Sequence, residues 1–175
     1  MSSGTFPRLT LVLGGARSGK SDYAEKLVCG LPAPWIYLAT AEAHDDDMRA
    51  RIAQHRSRRA AGWTTIEAPL DLAAALTTTT ASAHPVLVDC LTLWLTNVML
   101  GGHDTGARTA ELLDALAKRT APCVLVSNEV GMGIVPDNAL ARRFRDEAGR
   151  LNQSMAATVD RVVLVCAGLP LILKG

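Results

Sequence analysis

The stretch LTLVLGGARSGKSDYAEKLV, residues 9–28, reads as an apolar strand that runs straight into a glycine-rich turn and then a helix. Gly14, Gly19, Lys20 and Ser21 stand in it with the spacing G-x-x-x-x-G-K-S. A triphosphate concentrates negative charge in a small volume, so it needs many donors and few bulky side chains. Glycines let backbone N–H groups converge on it, and the helix start adds partial positive charge. Strand before and helix after are the context that separates this phosphate loop from a chance glycine-rich turn. The expected cradle is Gly14, Gly15, Ala16, Arg17, Ser18, Gly19, Lys20 and Ser21. In it Lys20 neutralises the β and γ phosphates, and the Ser21 hydroxyl holds Mg²⁺. The ligand this predicts is a nucleoside triphosphate with magnesium.

Outward from this stretch, short Val-, Leu- and Ile-rich runs recur at residues 9–13, 35–39, 86–89, 124–127 and 162–165. They are near-continuous rather than alternating, as parallel strands covered on both faces require. Helical signals fill the gaps at residues 21–28, 45–61, 69–76, 91–100, 109–119 and 138–157. Alternation of strands and helices predicts an α/β layered sandwich, read as one domain over residues 1–175. The polar run TTTTASAH, residues 77–84, is expected as a surface loop, and GGHDTG, residues 101–106, as a second loop open to motion or insertion.

The chain has 175 residues, 49% of them hydrophobic and 20% charged, which excludes a disordered or fibrous class. Eighteen basic residues against 17 acidic ones leave a net charge of +1, so no general attraction to nucleic acid is expected. No apolar run approaches the roughly 18 to 20 residues of a membrane span. Cys29, Cys90, Cys123 and Cys166 lack any CxxC spacing and are expected as buried, reduced thiols, which suits a cytoplasmic protein.

Two further patterns carry chemistry. PVLVD, residues 85–89, is a buried strand ending in a carboxylate; the cost of desolvating Asp89 falls if a cation pairs with it, so Asp89 is the expected second magnesium ligand. Its competing role is to cap the helix that begins near Leu91. Residues 45–61, DDDMRARIAQHRSRRAA, place Arg51, His55 and Arg59 along one helical stripe, with Arg58 beside them. Guanidinium neighbours favour a neutral imidazole at His55, and a neutral ring nitrogen is competent to attack phosphorus. A solvated basic helix face is the alternative. His44, His84 and His103 lack such surroundings and are expected on surfaces or loops.

Taken together, GGARSGKS, YLATA at 37–41, RIAQHRSRR, the stretch from Trp63 to Glu67, VLVDCLTLWLTN at 86–97 and VLVSNEVGMGIVPDN at 124–138 resemble one family. It is the bifunctional adenosylcobinamide kinase and adenosylcobinamide-phosphate guanylyltransferase family of cobalamin biosynthesis. NEVGMGIVP with the following RRFRDEAGRLNQ is the distinctive part, and the resemblance spans nearly the whole chain. It implies a RecA-like P-loop fold with a mainly parallel sheet, and assembly as a homotrimer. It also implies ATP or GTP as phosphate donor to adenosylcobinamide. GMP then passes from GTP, through a guanylyl-histidine, to adenosylcobinamide phosphate. On that basis His55 is the nucleophile. The nucleotide contacts are the cradle, Ala39, Thr40 and Ala41, the run Arg56, Ser57, Arg58 and Arg59, and the acids Glu67 and Asp89. Some relatives carry Glu at the position of Asp89 and two histidines at 54 and 55. Here the carboxylate is one methylene shorter, and Gln54 leaves a single candidate nucleophile. Two rivals stand beside this reading: a kinase for another small molecule, with the arginine helix as a lid, and a nucleotide-gated switch.

Overall fold

Leu9, Leu11 and Leu13 point to one side of a strand while Thr10 and Val12 point to the other, and all five are buried. A strand apolar on both faces has to lie inside a sheet covered on both sides. The computed structural model, which describes residues 6–42 and 61–175, places it there. β1 (Leu9–Gly14) leads into α1 (Lys20–Cys29), followed by β2 (Trp35–Ala39), β3 (Trp63–Glu67) and α2 (Leu72–Thr80). Then come β4 (Val86–Asp89), α3 (Leu91–Leu100), α4 (Thr105–Ala117), β5 (Cys123–Asn128), α5 (Ala139–Thr158), β6 (Arg161–Cys166) and β7 (Leu169–Lys174). The sheet order is β3-β2-β4-β5-β1-β6-β7. Every neighbouring pair is parallel except β6 and β7.

The two faces of the sheet carry two cores. On one, Leu9, Leu11, Leu38, Val86, Val88 and Leu125 pack with residues of α2 to α5, among them Leu76, Trp94, Leu116 and Met155. On the other, Val12, Tyr37, Leu87, Val124, Val126 and Val163 pack against Ala24 and Val28 of α1. Each fully buried Leu or Val contributes about 1.5–3 kcal/mol, so burial of the strand side chains does most to hold this arrangement together. The expected α/β layering with a mainly parallel sheet is thus the observed one.

Several local expectations need correction. The threonine run is not a loop at its start: α2 continues to Thr80, because Leu72, Leu76 and Thr79 are buried under it. The hydroxyls of Thr77 and Thr78 donate to the carbonyls of Ala73 and Ala74 at 2.9 and 3.0 Å, which removes their competition with the helix. The glycine loop shrinks to residues 101–104, since Asp104 caps α4 by accepting from Ala107 N at 2.8 Å. Cys90 and Cys123 are buried, but Cys29 and Cys166 are exposed; all four are free thiols. Burial pushes the thiols of Cys90 and Cys123 up to about 11, so both stay protonated near neutrality.

Two strands lie outside the apolar runs that mark the others. β3 is an edge strand with Thr64 and Thr65 exposed. It is held by Trp63, whose ring lies 5.5 Å from that of Trp35 and 6.0 Å from that of Tyr37. β7 returns antiparallel through Ala167 and Gly168, with φ values of 51° and 78°. Positive φ at both central residues suits the twist of a two-residue hairpin.

Candidate functional site

The carboxyl ends of the parallel strands form one edge of the sheet, and the phosphate loop, Ala39, Glu67 and Asp89 gather along it. Register pairs Glu67 with Ala39, Ala39 with Asp89, and Asp89 with Val126. The end of β1 stands beside that of β5, Gly14 opposite Asn128. The phosphate loop rises from Gly14, and α1 starts immediately after Gly19.

Two of the loop's glycines are required, Gly14 by contact and Gly19 by backbone angle. A Cβ on Gly14 would come within 2.3 Å of Ser18 Oγ and 2.7 Å of the Val165 carbonyl. Gly19 has φ +92° and serves as the N-cap without any side-chain capping bond, so the first N–H groups of α1 meet no cap side chain. Two neighbours brace the loop. Gly168 N in the β6–β7 turn donates to Ser18 O at 2.8 Å, and Glu129 N after β5 donates to Gly14 O at 3.1 Å. The exposed run Met132 to Val135 follows in the loop that leaves β5 beside the cradle.

Lys20 curls back so that Nζ donates to Gly15 O at 3.3 Å. The raised pKa of Cys90 is due first to burial and next to the Asp89 carboxylate, while the Lys20 ammonium pulls it the other way. Lys20 and Asp89 therefore both act on the end of β4. Asp89 is half-buried, and one carboxylate oxygen accepts a 3.1 Å hydrogen bond from the Tyr37 hydroxyl. The N-cap of α3 is Cys90, with extended backbone and no side-chain bond, so Asp89 is not spent on capping.

Hard oxygen donors of this kind fit Mg²⁺, which keeps few protein ligands and shares them with substrate phosphates. Ser21 and Asp89 would hold it, and the ion would neutralise phosphate charge. Among the described residues no three His, Cys, Asp or Glu side chains converge as a preformed cluster. A cation here would rely on one hydroxyl, one carboxylate and the phosphates themselves.

The turn after β2 is clamped. Thr40 is fully buried; its hydroxyl donates to Cys90 O and accepts from Cys90 N, each at 2.7 Å. The flanking Ala39 and Ala41 are half-buried, and Glu67 is exposed at the end of β3. His55, Arg56, Ser57, Arg58 and Arg59 lie outside the described residues, as does all but the last residue of the expected helix over 45–61. Of the other histidines, His103 is exposed and His84 half-buried.

Sequence reading missed the polar groups that stiffen this edge. Thr92 Oγ1 accepts from Asn128 N at 2.7 Å, Ser127 donates to Asn152 Oδ1 at 2.7 Å, and Asn152 Nδ2 donates to Asn128 O at 3.2 Å. Asn97 joins two turns through its amide nitrogen. The signal available was a polar residue inside an apolar stripe, as Thr92 and Asn97 are within LTLWLTNVML.

Comparison with known proteins bears on the family and the fold. The model of the cobinamide kinase / cobinamide phosphate guanyltransferase family matches residues 10–173. The bifunctional adenosylcobalamin biosynthesis protein CobP of Pseudomonas aeruginosa is 49% identical over 168 residues, covering 94% of this chain and 96% of that protein. CobU of Salmonella typhimurium, another bifunctional adenosylcobalamin biosynthesis protein, is 42% identical over 181 residues, covering 95% and 99%. Among solved structures, the flagellar accessory protein FlaH from Methanocaldococcus jannaschii superposes with a TM-score of 0.55 at 13% identity, over 98% of this chain and 81% of that one. RadB recombinase gives a TM-score of 0.53 at 13% identity, over 92% and 76%. At that identity the likeness concerns the fold alone, a RecA-like P-loop sandwich.

Proposed function

The chain belongs to the cobinamide kinase / cobinamide phosphate guanyltransferase family, and from that premise we propose that it carries out both reactions on nucleotide held at the carboxyl edge of the sheet. In the first, a hydroxyl of adenosylcobinamide attacks the γ phosphorus of ATP or GTP, the bond to the β-phosphate oxygen breaks, and the hydroxyl proton is released. In the second, a ring nitrogen of His55 attacks the α phosphorus of GTP; an N–P bond forms and pyrophosphate leaves. An oxygen of adenosylcobinamide phosphate then displaces His55, giving adenosylcobinamide-GDP.

The observation that carries this reading is the convergence of the phosphate loop, Lys20 and Asp89 at one edge, in a chain matched by the family model over residues 10–173. The loop's N–H groups and Lys20 hold the triphosphate, and Ser21 and Asp89 share Mg²⁺. Ala39, Thr40, Ala41, Glu67 and the run Arg56, Ser57, Arg58 and Arg59 contact the nucleotide beyond the cradle; the Thr40 hydroxyl and N–H are taken by Cys90 and Asp89, which leaves its carbonyl. Fixed charge of this kind favours the transition states of both transfers.

The test is to incubate the protein with magnesium and GTP labelled at the α phosphate, with no corrinoid, and to map the label after denaturation. Label on the peptide containing His55, stable in alkali and lost in acid, supports the guanylyl-histidine. GTP binding without label refutes it and leaves a plain kinase.

The same reading includes a single catalytic domain, a cytoplasmic location and a homotrimer. Among the described residues no helix is long and apolar enough to cross a membrane. Self-association is supported by β7, where Leu169, Leu171, Ile172 and Leu173 are 52–72% exposed on an edge strand, a pattern that invites pairing with another chain. Sedimentation should give the mass of three chains; a monomer at micromolar concentration would reject the trimer.

A further inference from the structure

Asn97 sits in the helix segment LTLWLTNVML, with Trp94, Leu95 and Val98 buried around it. The residue is only 8% exposed. A buried carboxamide on such a stripe is unfavourable unless its N–H groups find acceptors, and a leucine would fill the space without that requirement. Its acceptors are specific. Asn97 Nδ2 donates to the Thr40 carbonyl at 2.9 Å and to the Pro69 carbonyl at 3.1 Å. Thr40 lies in the turn that closes β2, and Pro69 in the turn that closes β3.

Those turns have further ties to the same edge. Thr40 is bonded in both directions to Cys90, the residue after Asp89. Ala68 N donates to Ala39 O at 2.8 Å, and Trp94 Nε1 donates to Leu70 O at 3.0 Å. Helix α3 therefore grips the end of β2 and the end of β3 through side chains one turn apart, Trp94 and Asn97. Asn97 bonds to both turns with one nitrogen. Register already sets Ala39 and Glu67 in a row with Asp89; the bridge fixes how the turns that leave that row, with Thr40, Ala41 and Pro69, are spaced.

We propose that Asn97 is a positioning residue for the nucleotide: by bridging the Thr40 and Pro69 carbonyls it holds the part of the site that meets the nucleoside, while the phosphate loop on β1 stands without it. This rests on the reading that the β2 and β3 turns contact nucleotide. The phosphate loop has its own supports, Gly168 N to Ser18 O and Glu129 N to Gly14 O, and neither involves α3. Loss of the bridge thus separates two kinds of affinity that a general loss of structure would lower together.

Two ligands test this by calorimetry on Asn97→Leu: GTP with magnesium, and inorganic tripolyphosphate with magnesium. The dissociation constant for GTP should rise about tenfold or more, the worth of a hydrogen bond or two, while that for tripolyphosphate stays within about twofold. Asn97→Ser, which shortens the side chain and admits water to both carbonyls, gives the same comparison if leucine prevents folding. Unchanged GTP affinity overturns the proposal, and so does parallel weakening of both ligands, which marks Asn97 as structural only. Failure of the covalent mechanism shows separately, as wild-type protein that binds GTP but takes no label.

Discussion

Replacing His55 with alanine should abolish the acid-labile GMP label, lowering guanylyl transfer by about 10⁴-fold or more, the scale at which a lost nucleophile is felt. Phosphoryl transfer to adenosylcobinamide should survive to within about tenfold, because that step proceeds by positioning and charge stabilisation without a protein nucleophile. The asymmetry follows from which phosphorus is attacked. At the γ phosphorus the incoming atom belongs to the corrinoid substrate, whereas at the α phosphorus it belongs to the protein. The arginines around His55 in the sequence remain in the variant, so their charge still assists pyrophosphate departure and phosphate binding. Both rates are to be measured on one folded preparation. Equal loss of the two activities would contradict the division of labour between His55 and the phosphate loop.

How much of the fold and site is legible in the sequence depends on whether the information is local. The phosphate loop is legible because its chemistry, its flanking strand and its flanking helix lie within residues 9–28, and the buried run ending at Asp89 is legible for the same reason. What brings Glu67, Ala39 and Asp89 into one row is strand register, which no short window contains. β3 is obscured because an exposed edge strand lacks the apolar run that marks the central strands. β7 is obscured because all its residues are exposed and Pro170 argues against a central strand. The threonine run misleads because propensity favours loop, whereas burial of Leu76 and Thr79 carries the helix through it. Asn97 and Thr92 are inconspicuous inside an apolar helix. Their partners are 57 and 36 residues away in the chain, so only the folded structure shows that each amide or hydroxyl has a task.

The substitution Lys20→Ala should impair both reactions together, each by about 10²–10³-fold, the usual effect of removing one preorganised charge-stabilising donor. Lys20 is the first residue of α1, and its ammonium, with Nζ 3.3 Å from Gly15 O, lies over the loop that Gly14 and Gly19 shape. Alanine keeps the helix and the backbone donors, so nucleotide still enters, but charge building on the β and γ oxygens loses its counterpart. Arginine should not rescue it, since a planar guanidinium is bulkier than an ammonium and directs its donors differently. Thermal stability should change little, because the half-buried side chain makes one 3.3 Å bond to a loop carbonyl. Kinase and guanylyl-transfer rates measured on the variant decide whether one cradle serves both reactions. Full guanylylation with the kinase lost would mean that the α phosphate is attacked on nucleotide bound elsewhere, and the shared cradle would have to be abandoned.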